Sequence, residues 1–119
     1  PQDEGLVYIY HNWESGTDNS PVWDDIWDTM NPPEYHFVRK DTTHVDASQR
    51  PSKREYDHYL YIIDIAKQNN YDDGKIAELS PFLVQDPLFN AMLIKSNQAL
   101  IELYELIGGN EEKIKTLLN

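Results

Sequence analysis

Two stretches of this sequence carry helix-period apolar patterns on more than one face, and that feature restricts the possible folds more than any other. Between Lys53 and Asn69, one stripe holds Tyr56, Tyr59, Leu60, Ile63 and Ala66, while Tyr61, Ile62 and Ile65 make the opposite side apolar too. Between Pro87 and Ile107, Phe89, Met92, Leu93, Ser96, Ala99, Leu100, Leu103 and Ile107 form one stripe, with Leu88, Ala91 and Ile101 on a second. A helix in a lone three-helix bundle needs a single apolar face, whereas a helix apolar on nearly all sides is built to lie between layers. The fold class expected is therefore all-α, with its long helices sandwiched between neighbours.

Local signals place the helix ends. Ser52 stands three residues before Glu55, a capping box that opens a helix over about 53–69. Asp86-Pro87 combines a cap with a first-turn proline and Gly108-Gly109 supplies the stop, giving a helix over 87–107. Asn110 caps a short helix over 111–118, with Ile114, Leu117 and Leu118 facing inward. Ser20-Pro21 opens a helix over 21–30 that Asn31-Pro32-Pro33 ends, and Trp23, Ile26, Trp27 and Met30 share its stripe. A further short helix is expected around Lys75 to Leu79. The apolar run Leu6 to Tyr10 stays open between a strand and a buried helix end, because five positions do not define a period. Glu34 to Pro51 reads as a long polar loop, and loops of that length are commonly functional.

With 119 residues the chain reads as a single segment, 1–119, of at most one domain. A net charge of -11 without a Lys/Arg cluster argues against nucleic acid and against an anionic membrane surface. The absence of cysteine excludes a disulfide framework and a thiol-ligated metal, and permits a reducing cytoplasm. No stretch is apolar enough to span a bilayer, and no signal-sequence pattern opens the chain. The start at Pro1 without Met, and an apolar pattern that stops at Asn119, give the chain the look of a piece.

The stretch HNWESGTDNS, His11 to Ser20, is dense in hydrogen-bonding groups. Glu14 and Asp18 are two carboxylates in one tight loop before a helix, with Trp13 beside them and Gly16 permitting an unusual turn. Glycosidic cleavage needs two carboxyl groups of different pKa, about 5–5.5 Å apart for retention or about 6.5–9.5 Å for inversion. The apolar face of a sugar ring also stacks on Trp or Tyr. The same residues suit an ordinary loop-to-helix connection in which Asp18, Asn19 and Ser20 make turn and capping bonds. Arg50, with Tyr56 further along the next helix, can clamp a carboxylate or sugar hydroxyls, or pair with an internal Asp or Glu. His36, Asp41, His44 and Asp46 are metal-donor types without a recognised spacing, so no metal or cofactor is expected. Asp24, Asp25 and Asp28 complement a helix dipole. There is no nucleophile elbow and no phosphate-cradling glycine loop.

WESGTDNSPVW, Trp13 to Trp23, resembles the signature of the (α/α)6-toroid glycoside hydrolase clan that includes trehalases, family 63 α-glucosidases and bacterial mannosylglycerate or glucosylglycerate hydrolases. RPSKREYDHY, Arg50 to Tyr59, and DPLFNAMLIKSNQALIELYELIGG, Asp86 to Gly109, follow in the order of the mannosylglycerate group. The resemblance implies antiparallel helical hairpins forming about a quarter to a third of an (α/α)6 toroid, and an inverting hydrolysis of a small α-glucoside or α-mannoside. It implies Asp18 as general acid, Trp13, Glu14 and Asn19 in the sugar site, and Arg50 with Tyr56 on a glycerate. The clan's general base is a Glu far towards the C-terminus. Only Glu111 and Glu112 follow Gly109 here, at a short helix start without aromatic company, so the base is expected to be missing and the isolated chain inactive. The partners implied are a small carbohydrate and either the rest of a toroid or a second copy. The competing readings are a non-catalytic carbohydrate or glycerate-type anion binder using Trp13, Arg50 and Tyr56, and a helical interaction module.

Overall fold

The computed structural model describes residues 5–109 and 111–118. The chain divides into two compact units, Ile9–Val84 and the pair of segments Pro1–Tyr8 and Gln85–Asn119.

The Ile9–Val84 unit holds α1 (Asp24–Trp27), α2 (Lys53–Gln68) and α3 (Asp73–Leu79). Helix α2 starts where the capping box puts it: Glu55 N–H donates to Ser52 Oγ at 3.2 Å, and Ser52 N–H donates to Glu55 Oε2 at 2.6 Å. Its deeply buried line is His58, Tyr59, Ile62 and Ala66, narrower than the two faces the pattern offers, and Leu60, Tyr61, Ile63 and Ile65 are half-buried. That line packs into an aromatic core. Trp27 stacks on Phe82 with ring centres 5.0 Å apart, Trp23 meets Phe82 edge-on at 5.5 Å, and Tyr59 lies 5.6 Å from Trp27. Asp57, nearly buried on α2, accepts from the Lys53 ammonium at 2.7 Å and from Tyr35 N–H at 3.0 Å. Burial opposes its ionisation, but these partners outweigh burial and hold its carboxyl below the usual range.

The expected helix over 21–30 is shorter than its pattern. Pro21–Trp23 is a 3-10 turn that runs into α1, and α1 ends at Trp27. Beyond it Thr29 N–H and Met30 N–H reach back only three residues, to Ile26 and Trp27, and the Thr29 hydroxyl takes the Ile26 carbonyl at 2.7 Å. Competition from a short hydroxyl side chain loosens a last turn in this way. The buried His58 ring adds a partner, its Nε2 lying 3.0 Å from the Trp27 carbonyl. The core stripe survives even so: Trp23, Trp27 and Met30 are buried.

The Leu6 to Tyr10 run is neither strand nor helix. Ile9, fully buried, makes one antiparallel bridge to Val84, with N–H to carbonyl distances of 2.8 and 3.0 Å, and no longer strand is present among the described residues.

The other unit holds α4 (Pro87–Leu106) and α5 (Glu111–Leu118), which pack on each other. Asp86 caps α4 through Leu88 N–H at 2.9 Å, and Pro87 takes the first helical position. Gly108 adopts φ 64° and Gly109 N–H closes on the Tyr104 carbonyl at 2.7 Å, so the helix stops where the glycines put it. Asn90 is buried and ties the Val7 backbone to α4, accepting from Val7 N–H at 3.0 Å and donating to Val7 O at 2.9 Å. Along α4, Leu88, Met92, Ile94, Leu100, Leu103 and Leu106 remain exposed, Leu106 at 82%. The Asn110 cap lies outside the described residues, as does the Leu118 side chain. No helix among the described residues is long and apolar enough to cross a membrane.

Candidate active site

The polar decapeptide folds on itself. His11 caps a 3-10 turn over Asn12–Ser15, its Nδ1 accepting from Trp13 N–H at 3.1 Å. Glu14 closes the box, one carboxylate oxygen accepting from both Tyr10 N–H and His11 N–H at 2.9 Å. With Nδ1 an acceptor, the ring proton sits on Nε2, which donates to the Tyr59 carbonyl at 3.1 Å. Burial holds His11 below the usual imidazole range, so the neutral tautomer fits its surroundings. Gly16 takes φ 70°, the left-handed turn that lets the loop reverse.

The remaining side chains bind the loop's own backbone. Ser15 Oγ donates to Asn12 O at 2.6 Å and receives Thr17 N–H at 3.0 Å, Trp23 Nε1 donates to Thr17 O at 2.9 Å, and Ser20 Oγ accepts from Val22 N–H at 3.3 Å. Two donors converge on the Asp18 carbonyl: Asn12 Nδ2 at 2.9 Å and the Tyr59 hydroxyl at 3.2 Å. Burial, then the charges of Glu55 and Asp18, push the Tyr59 phenol well above its usual range, so it stays protonated as a donor. The Asp18 and Asn19 side chains, like the Trp13 indole N–H, are not hydrogen-bonded to any described residue. Asn12 Oδ1, fully buried, also lacks a partner among the described residues. Trp13 is half-exposed, and its ring lies 4.5 Å from His11 and 5.9 Å from Tyr59. It borders an open cleft of about 250 Å³ together with Tyr10, Ile63 and Tyr71.

A second cluster forms from the long loop. Asp41 receives both Nε (3.1 Å) and Nη2 of Arg39, and Arg50 Nε donates to the same carboxylate at 3.3 Å. Arg39 lies over the Tyr56 ring, 4.6 Å from its centre, and Phe37 packs against the ring from 5.6 Å. The guanidinium of Arg39 first, then Arg50 and the Tyr56 hydroxyl, hold the Asp41 carboxyl far below the usual carboxylate range. Arg50 therefore does have an internal carboxylate partner, and Tyr56 is beside it. Of the metal-donor types, Asp46 caps the turn Ala47–Gln49 through Ser48, and no three His, Asp or Glu residues gather for a metal among the described residues.

The sequence reading missed Asn12 and Tyr59 as ties on Asp18, and Arg39 as a partner of Asp41. The spacing His11-x-x-Glu14 does carry a signal, since a capping box with His as cap follows the same geometry as Ser-x-x-Glu.

The model of the mannosylglycerate hydrolase MGH1-like glycoside hydrolase domain matches residues 1–117. A mannosylglycerate hydrolase of Rubrobacter radiotolerans is 43% identical over 113 residues, 91% of this chain and 25% of that protein. A glucosylglycerate hydrolase of Mycolicibacterium hassiacum is 40% identical over 107 residues, 87% of this chain and 24% of that protein. A crystal structure of the family 63 mannosylglycerate hydrolase of Thermus thermophilus, in complex with Tris and D-glycerate, superposes with a TM-score of 0.85 at 37% identity, over 95% of this chain and 28% of that one. The chain thus spans about a quarter of the length of the relatives it matches, as an all-helical portion of a family 63 toroid. It belongs to the mannosylglycerate hydrolase MGH1-like glycoside hydrolase domain family.

Proposed function

We propose that this segment supplies the general acid of an inverting glycosidase that cleaves a small α-mannoside or α-glucoside of glycerate. One observation carries the assignment. In a loop whose other carboxylate, hydroxyls and imidazole are committed to the loop's own structure, the Asp18 carboxylate has no hydrogen-bond partner among the described residues while its backbone is held by two donors. A positioned but unengaged carboxyl group is what proton delivery to a leaving oxygen requires. Trp13 offers a stacking face for the sugar, Asn19 is free to bond a hydroxyl, and Glu14 has its second oxygen for the same task. Arg50 and Tyr56 hold the glycerate carboxylate, in keeping with the names of the relatives. By this reading the water-activating base, a Glu far towards the C-terminus in the clan, lies outside the segment, which spans 25% of a relative's length, and the segment alone is expected to show no turnover.

Asp18→Asn in the full chain tests the acid. Loss of a general acid costs about 10²–10⁴ in rate, so activity retained within about tenfold of wild type sinks the assignment.

A further inference from the structure

We propose that Arg39 sets the preference for a charged aglycone by keeping Asp41 from neutralising Arg50; the inference rests on the assignment of Arg50 to the substrate carboxylate. The geometry divides the two guanidinium groups. Arg39 turns Nε and Nη2 onto the two oxygens of Asp41 and sits over Tyr56, so its Nε–Nη2 edge is committed to that carboxylate. Arg50 touches Asp41 only through Nε, at 3.3 Å, and its remaining neighbour in the cluster is the uncharged Tyr56 hydroxyl, so no second carboxylate oxygen is engaged by its fork. The Arg50 side chain is 36% exposed while those of Arg39 and Asp41 are at 20% and 17%, so Arg50 is the more accessible of the two cations.

Charge follows the same division. Two guanidinium groups face one carboxylate, which leaves the cluster positive in a chain whose net charge is -11. Without Arg39, Asp41 would have Arg50 as its sole cation in the cluster. A bidentate pair is the favoured geometry between those two groups, so Arg50 would turn its fork inward and present no charge to a ligand. Arg39 is thus a positioning residue, acting on the ligand through Asp41 and Arg50.

The experiment compares kcat/KM of the full chain for mannosylglycerate and for mannosylglycerol, which differ in the charge of the aglycone. Arg39→Gln is expected to lower the charged-to-neutral ratio about tenfold, the effect of about 1.4 kcal/mol of lost discrimination. The double variant Arg39→Gln/Asp41→Asn removes the competing carboxylate with the residue that held it, and should return the ratio to within about threefold of wild type, well inside the tenfold interval. An unchanged ratio in Arg39→Gln, equal losses on both substrates, or a double variant as poor as the single one overturns the proposal. Arg50→Gln separates the two levels. If it leaves the ratio untouched, the assignment of Arg50 fails and this inference with it; if it collapses the ratio while Arg39→Gln does not, only the role of Arg39 is overturned.

Discussion

The Tyr59 hydroxyl donates to the backbone carbonyl of Asp18 at 3.2 Å, across 41 positions of sequence, and Asn12 Nδ2 reaches the same oxygen at 2.9 Å. The bond places α2 directly behind the proposed acid: the helix that forms the floor of the aromatic core also fixes the peptide from which Asp18 projects. Tyr59 itself is fully buried, held on one side by Trp27 and on another by Trp13. A rigid element supporting a loop carboxylate in this manner keeps it within the narrow geometry that proton transfer tolerates.

Tyr59→Phe removes that bond and almost no volume. The Asp18 carbonyl keeps Asn12 as a partner, so the expected loss of stability is about 1 kcal/mol, the ordinary worth of one neutral hydrogen bond. With Asp18 as acid, kcat of the full chain should fall about tenfold or more with KM little changed, because misplacement of a reacting group acts on the chemical step. Denaturant melts and steady-state kinetics on the same variant check both halves. A loss confined to KM would detach Tyr59 from the acid.

Stability should also respond to His11. Burial lowers the folded-state pKa of this imidazole below its ordinary value of 6.5, so between the two values the unfolded chain binds more protons than the folded one. The contribution is therefore fully present above pH 6.5 and is lost as pH falls from there towards the folded-state pKa, below which it declines no further. Denaturation midpoints measured at pH 7.5 and 5.5 should fall on acidification, and His11→Gln should flatten that fall. A midpoint that rises on acidification would contradict the sign.

Much of the frame was readable because it rests on contacts close in sequence. Ser52 and Glu55, Asp86 and Pro87, and Gly108 and Gly109 define helix ends through bonds within a turn, and all three ends stand where those residues put them. After Ser20 the apolar spacing runs on to Met30 while the helix ends at Trp27, because spacing does not register that Thr29 diverts the Ile26 carbonyl. The cluster around Asp41 was illegible for a different reason. Arg39, Asp41, Arg50 and Tyr56 meet only after an irregular loop has folded, and no period relates their positions. In the decapeptide the residue types pointed to chemistry, but which of them serve the loop and which are left for a ligand emerged only from the bonds.

The core makes a further prediction. Phe82 is fully buried in the connection after α3, stacked on Trp27 at 5.0 Å and met edge-on by Trp23 at 5.5 Å. Truncation to Ala empties a site walled by two large rings that cannot collapse into it, and such a change costs about 3–5 kcal/mol. Chemical denaturation of Phe82→Ala should show a loss of that size, whereas Phe82→Leu, which keeps most of the volume, should lose clearly less. Equal losses would mean that the ring stack, not the filled volume, dominates.

Helix α4 gives the last prediction. Met92 at 63%, Leu103 at 57% and Leu106 at 82% exposure stand on a helix whose sequence is apolar on two sides, while its packing partner α5 covers little of it. Exposed apolar area of this extent on one element drives association, since each fully buried Leu or Met side chain is worth about 1.5–3 kcal/mol. The 119-residue segment on its own should sediment as dimers or larger species at micromolar concentration. Met92→Glu combined with Leu103→Glu should shift it to the monomer, because each association would then bury an unpaired carboxylate. A segment that is monomeric without the substitutions would show that α4 is not a covered face.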